Sequence, residues 1–388
     1  MGSGTLVSNS KAHFSSLDAV RTFACFFPIS THLLWEVSVD RLAAQPDLQG
    51  LPMAVLAFLF GNGIFGVRLF MAMSGFLITY LMLRELESTG GFSLRNFYVR
   101  RILRIWPCYF IVLGYMFGFY PGHLDERLWP YLFFLPNFEL LRLTHTPGLV
   151  TNSQLSLLWS VGIEEQFYLI WPLVFVFFGV VGLRWGGVLF WLLAWASQFY
   201  YWDDVVTWSN HTIPCFLYIS SGTLLGCLYY ARPQALERPL RGLGYGLVML
   251  LTLLFFGLMF WIGYWSLENK LWMPIYGPFT AFFCCWLMIS QIVYQHHRFS
   301  WGRIKPMVNF SKYTYGLYMY HRIVQWWLVQ GFGRLGLDFR DPTSLAIVNG
   351  STLVVACLVS YLSFHTVEGY FMKKKHLFSP FAKAKGHV

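Results

Sequence analysis

The chain has 388 residues, of which 56% are hydrophobic, 20% aromatic and only 12% charged, with a net charge of +10. A soluble domain carries about twice that charged fraction, and a mean hydropathy of +0.50 excludes one here. The basic residues are scattered among short connections and the C-terminal tail, which argues against nucleic acid as a partner.

Apolar windows of about 20 residues, enough to cross a bilayer, recur along the whole chain. In order they cover residues 17–39, 63–83, 101–120, 159–182, 186–201, 212–231, 243–264, 273–294, 309–331 and 345–367. They predict an all-α, polytopic membrane bundle of about ten transmembrane helices. The first window is long enough to span and lacks a small-residue cleavage site, so it reads as a helix and not as a removed signal. The aromatic stretch WPYLFFLPNF from Trp129 is too short and too proline-rich to cross, and is expected at the interface or re-entrant. The seven cysteines lie in apolar runs without metal-ligand spacing and read as buried free thiols.

Connections carrying Arg84, Arg95 and Arg100, then Arg184, then Arg232, Arg238 and Arg241, then Arg298, Arg303 and Lys305 are consistently basic, whereas the alternate ones mix signs. By the positive-inside rule both termini are expected in the cytoplasm, and the membrane expected is a bacterial inner one. The expected organisation is a cytoplasmic segment over 1–16, one integral-membrane domain over 17–371 and a basic cytoplasmic tail over 372–388.

Ionisable residues inside spans are costly and are therefore candidates for function. Asp18 and Arg21 open the first span at the inner face, and His32 follows roughly 22 Å further along. Arg100, Arg101 and Arg104, in YVRRILRIWP, open the third span at the level of Asp18 and Arg21, and Glu368 ends the last span at the same level. Guanidinium groups bind oxyanions bidentately and keep their charge, so this layer suits a phosphate-bearing donor. Arg104 is the deepest of the three, whereas topology alone explains Arg100.

A second layer lies deeper. Glu164 and Glu165, in LWSVGIEEQFYLIWP, fall about 8–9 Å below the outer edge, near the depth of His32. His321, in TYGLYMYH, and Arg68 also reach this outer half, and Glu36 lies one turn beyond His32 on the same face. A histidine with carboxylates nearby is equipped to move protons near neutral pH. Successive glutamates point about 100° apart, so only one is expected to face a site squarely, with Glu165 preferred. Packing alone is an equally good account of His321, and a solvated interface position of Glu36.

The segments LDAVRTFACFFPISTH, GVRLFMAMSGFLIT, FYVRRILRIWPCYF, LWSVGIEEQFYLIWP, YTYGLYMYH and SFHTVEGYF resemble, in order and spacing, those of the acyltransferase-3 family of integral-membrane O-acyltransferases. The resemblance runs from about Ser16 to Phe371. It implies acetyl-CoA, or another acyl-CoA, as donor, a glycan or lipid-linked saccharide hydroxyl as acceptor, and no metal. It also implies that Arg21 and His32 are needed for activity and that Arg101 and Arg104 bind donor. The expected sites are then His32 as general base with Glu165 and Glu164, a donor set of Asp18, Arg21, Arg100, Arg101 and Arg104, and acceptor contacts from Arg68, His321 and Glu36. Two departures stand out: Arg68 replaces an Asp or other small polar residue, and Gly369-Tyr370 replaces a basic-Pro pair. With no hydrolase-like domain appended, the membrane unit is expected to act alone or with a separate extracytoplasmic partner. The rival reading is a proton-coupled transporter, which predicts an internal repeat that the sequence lacks.

Overall fold

The computed structural model describes residues 14–42, 62–119, 125–149, 153–339 and 341–380. Among these there is no strand, and each apolar window falls on a helix. Helix α1 spans Ser15–Leu42, α2 Gly63–Thr89, α3 Leu94–Phe119, α4 Leu128–Leu132 and α5 Pro136–His145. Then come α6 Leu158–Tyr200, α7 Val205–Asn210, α8 Thr212–Ala231, α9 Pro233–Leu243, α10 Tyr245–Glu268 and α11 Met273–Val293. The chain continues through α12 Lys305–Phe310, α13 Thr314–Arg334 and α14 Pro342–Ser363, and a π-helical turn at Phe364–Glu368 leads into α15 Gly369–Lys375.

Seven of the described helices are long and apolar enough to cross a membrane. Helix α6 holds two of the expected spans, because the chain stays helical on both sides of Gly179, where φ 61° and ψ −154° break the hydrogen-bond ladder. The break was expected near Arg184. It falls at Gly179 instead because only glycine adopts that backbone without strain. Helices α1 and α13 have the length of a span but carry the polar residues described below. Large apolar side chains face outward along α6 (Phe177, Phe178, Trp185, Leu189), α10 (Leu250, Leu253, Leu254) and α14 (Val354, Leu358). Such belts suit hydrocarbon, not water.

Small residues set the closest approaches, as expected where lipid supplies no hydrophobic drive between helices. A side chain at Gly75 of α2 would strike the Ile219 carbonyl of α8, and one at Gly222 of α8 would strike the Ala72 carbonyl of α2. Gly66 lets α2 lie on the backbone of α1 at Ala24 in the same way. These contacts clamp α1, α2 and α8 together.

The WPYLFFLPNF stretch forms α4, a turn through Phe134 at φ 56°, and the start of α5, so it does not cross. It is pinned to the bundle by Gln166. Its Nε2 donates to the Phe134 carbonyl at 2.8 Å and to Asn137 Oδ1 at 2.9 Å. Its Oε1 accepts from the Thr212 hydroxyl at 2.6 Å, which in turn accepts from Asn137 Nδ2 at 2.9 Å. Gly162, one turn earlier on α6, leaves room for Pro136. Gln166, half-buried, thus holds a turn that has no helix of its own to satisfy it.

Both described ends of the chain meet at one end of the bundle. Ser16 packs on Gly302, and Arg100 Nη1 donates to the Phe378 carbonyl at 2.7 Å.

Candidate active site

A cavity of about 660 Å3 opens among α1, α2, α3, α6, α13 and the π-helical turn. It is lined by Arg21, Arg101, Arg104 and Lys312 and, facing them, by Asp18, Glu164, Glu165 and Glu368. The expected layer of guanidinium groups is therefore a mixed cavity with as many carboxylates as cations. The local contacts decide which of these charges is available to a ligand. Arg21 Nη1 is paired with Asp18 Oδ1 at 3.0 Å, one helical turn away. Arg100, expected in the donor set, is paired with the buried Glu85 at 2.8 Å and does not line the cavity. Arg101 lies 5.5 Å from the Phe97 and Tyr168 rings. Among the described residues neither Arg101 nor Arg104 has a hydrogen-bond or ion-pair partner. Two guanidinium forks are left for a ligand.

Both glutamates line the cavity, although their directions on α6 diverge, because the cavity wraps around that face. Glu164 Oε2 accepts from the Tyr168 hydroxyl at 2.7 Å, and the same hydroxyl reaches Ser74 Oγ at 3.0 Å. Glu165 Oε2 accepts from Trp106 Nε1 at 3.2 Å, and its Oε1 is buried without a partner. The carboxylate pair was expected at histidine depth, orienting the imidazole. It sits with the arginines instead, since the neighbours of α6 at this level are α2 and α3, while His32 faces α13.

His32 is oriented by His321. The two rings are nearly parallel, at 11°, and His32 Nδ1 lies 2.8 Å from His321 Nε2. The tautomers follow from the partners. His321 Nδ1 faces the Tyr318 carbonyl at 2.8 Å and the Leu317 carbonyl at 3.1 Å. Carbonyls only accept, so we assign the His321 proton to Nδ1, which leaves a lone pair on Nε2. That lone pair takes the Nδ1 proton of His32, and the Nε2 of His32 is left unprotonated, as a general base requires. Gln325 Nε2 donates to the His32 carbonyl at 2.8 Å, and Arg322 Nη1 holds Gln325 Oε1 at 3.1 Å. His32 is fixed both by its ring and by its backbone.

Neither histidine lines the cavity. Between them stands Tyr318, whose carbonyl holds His321 and whose hydroxyl bonds Ser160 Oγ at 2.8 Å at the cavity's end. Arg68 is likewise elsewhere, buried among aromatic rings, and Glu36 has a side chain outside the described residues. Lys312, Tyr168, Trp106, Ser160 and Tyr318 were not singled out from sequence, where a lysine between spans reads as solvated and an aromatic as packing. Among the described residues no cluster of three metal-ligating side chains occurs.

The profile of the family described as "Acyltransferase domain" (Acyl_transf_3) matches residues 14–364. The chain belongs to this family. Among curated relatives, this acyltransferase-family chain is 32% identical over 133 residues to the peptidoglycan O-acetyltransferase OatA of Listeria monocytogenes, a match covering 32% of the chain and 21% of the relative. It is also 32% identical over 118 residues to an uncharacterized protein of Haemophilus influenzae, covering 28% of the chain and 47% of that protein. The match thus spans well under two thirds of either relative. No solved structure matches. Family membership accords with the fold above, a helical bundle integral to the membrane.

Proposed function

We propose that this chain transfers an acetyl group from cytoplasmic acetyl-CoA to a hydroxyl of a glycan or lipid-linked saccharide on the far side of the membrane, with His32 as general base. The name of the Listeria relative, a peptidoglycan O-acetyltransferase, supports this class of acceptor. The observation that carries the reading is the tautomer chain from the Tyr318 carbonyl through His321 to His32, which leaves His32 Nε2 as a fixed acceptor of protons.

Arg101 and Arg104 take the phosphates of the donor, helped by Arg21 with its Asp18 partner. The orphaned Glu165 Oε1 accepts an amide N–H from the pantetheine arm, a more fitting role for it than orienting an imidazole that it does not touch. Glu164 is held by Tyr168 and tempers the positive charge beside it. Because His32 does not line the cavity, the Ser160–Tyr318 hydrogen bond has to open for the thioester end to reach it. Nε2 of His32 removes the acceptor's hydroxyl proton as the oxygen attacks the thioester carbonyl, and the tetrahedral oxyanion then collapses with cleavage of the C–S bond. The departing thiolate takes the proton back from His32. His321, neutral and accepting, stabilises the transient imidazolium by keeping its hydrogen bond throughout.

The test uses purified full-length protein in nanodiscs with acetyl-CoA and a peptidoglycan fragment, following free CoA thiol and the mass of the acceptor. Wild type is expected to release thiol in step with acceptor acetylation, and His32→Ala to do neither. Near-full transfer by His32→Ala would refute the assignment, and thiol release without acetylated acceptor would point to a hydrolase or to a missing partner.

A further inference from the structure

Away from the cavity, Arg68 is only 2% exposed, yet it has no carboxylate partner among the described residues and its Nη1 makes no hydrogen bond. Its guanidinium carbon lies 4.6 Å from the Trp208 ring, 4.9 Å from Tyr218 and 5.1 Å from Tyr276. The rings come from α7, α8 and α11, so four helices close around one cation. Two of the same side chains leave their own polar atoms unsatisfied, namely Trp208 Nε1 and the Tyr218 hydroxyl, both buried.

Ring faces attract a cation. Burial of an unpaired charge costs more than such rings return, so they do not offset it. Unmade hydrogen bonds on two further donors add to the deficit. A guanidinium, an indole N–H and a phenol O–H are all donors, and the cage presents a surplus of positive charge. We propose that this cage binds a small monovalent anion of halide size, with chloride the physiological occupant. Water satisfies the donors but leaves the charge, and a halide ion is the smallest anion that supplies its balance. Such an anion sits between α2, α7, α8 and α11 and ties the short α7 to the bundle. This inference does not rest on the acyl-transfer reading, since none of these residues lines the cavity.

The experiment is thermal unfolding of the full-length protein in nanodiscs, exchanged into gluconate buffer and titrated with chloride, bromide or acetate at constant ionic strength. Wild type is expected to gain Tm saturably with chloride and bromide and not with acetate. Arg68→Met is expected to abolish the response. Trp208→Phe and Tyr218→Phe keep the ring faces, and so the fold, but lose a donor each. Their chloride midpoints are expected to rise by about tenfold, from loss of a hydrogen bond to a charged group. A wild-type Tm indifferent to halide, or a halide response unchanged in both phenylalanine variants, would overturn the proposal and leave the cage as a cation–π packing motif. Stabilisation by acetate without chloride would overturn the halide-sized assignment.

Discussion

The charged cavity and the histidine pair bury polar groups in the same bundle by opposite means. In the cavity, four cations face four carboxylates, and two guanidinium groups and one carboxylate oxygen are left unmatched beside open space. In the histidine pair nothing need be charged: a proton is fixed on each ring by its neighbour, and a single acceptor, His32 Nε2, remains. The first arrangement suits holding a polyanionic ligand, and the second suits moving one proton.

Substitutions separate the two. The largest effect is expected from His32→Ala, which removes the base and should lower kcat by roughly 10²–10⁴-fold, the usual contribution of a general base. In the wild type the rate should fall at acid pH as His32 takes a proton, and the variant's residual rate should lack that limb. Next is Arg104→Ala, read as the KM for acetyl-CoA. Loss of a charge-assisted contact of about 1.5–3 kcal/mol should raise it roughly 10- to 150-fold with kcat little changed. Arg100→Ala should leave KM alone and lower Tm, since its partner is Glu85; a KM effect equal to that of Arg104→Ala would erase the distinction between ligand-facing and structural arginines.

His321→Ala tests the relay. It should lower kcat by about tenfold, the worth of one orienting hydrogen bond, without moving KM. His321→Gln, whose amide oxygen still accepts from His32 Nδ1, should recover most of the loss, whereas a merely structural histidine would show no such rescue. The smallest effect is expected from Tyr318→Phe, which removes the hydroxyl's bonds to Ser160 and to the Leu157 carbonyl at the boundary between the two regions. A change of a few-fold in kcat, from a neutral bond worth about 1 kcal/mol, is the expectation. A large KM increase there would show that Tyr318 belongs to the binding cavity and not to its wall.

Much of this was legible beforehand, and for identifiable reasons. Span positions follow from runs of apolar residues, because a bilayer demands length and composition before anything else. The same economy made Arg104, His32 and the glutamates conspicuous. Rotation was not legible: which way Glu164, Glu165 and Arg100 point depends on how α6 and α3 turn against their neighbours. Depth counted in residues put the glutamates in the layer of His32, whereas they line one cavity with Arg101 and Arg104 of the other layer. Arg68 shows the same limit, since α7, α8 and α11 bring three rings to it from positions up to 208 residues away in the chain.

From the chain alone came the family, the helical class and the residues worth suspecting, since each depends on composition, order and local spacing. Partner choice was decided only by the folded bundle: Arg100 with Glu85, Gln166 with the turn at Phe134, and His32 with His321. Hydrogen bonds and ion pairs act over about 3 Å, and residues 289 apart come within that reach only after helices pack.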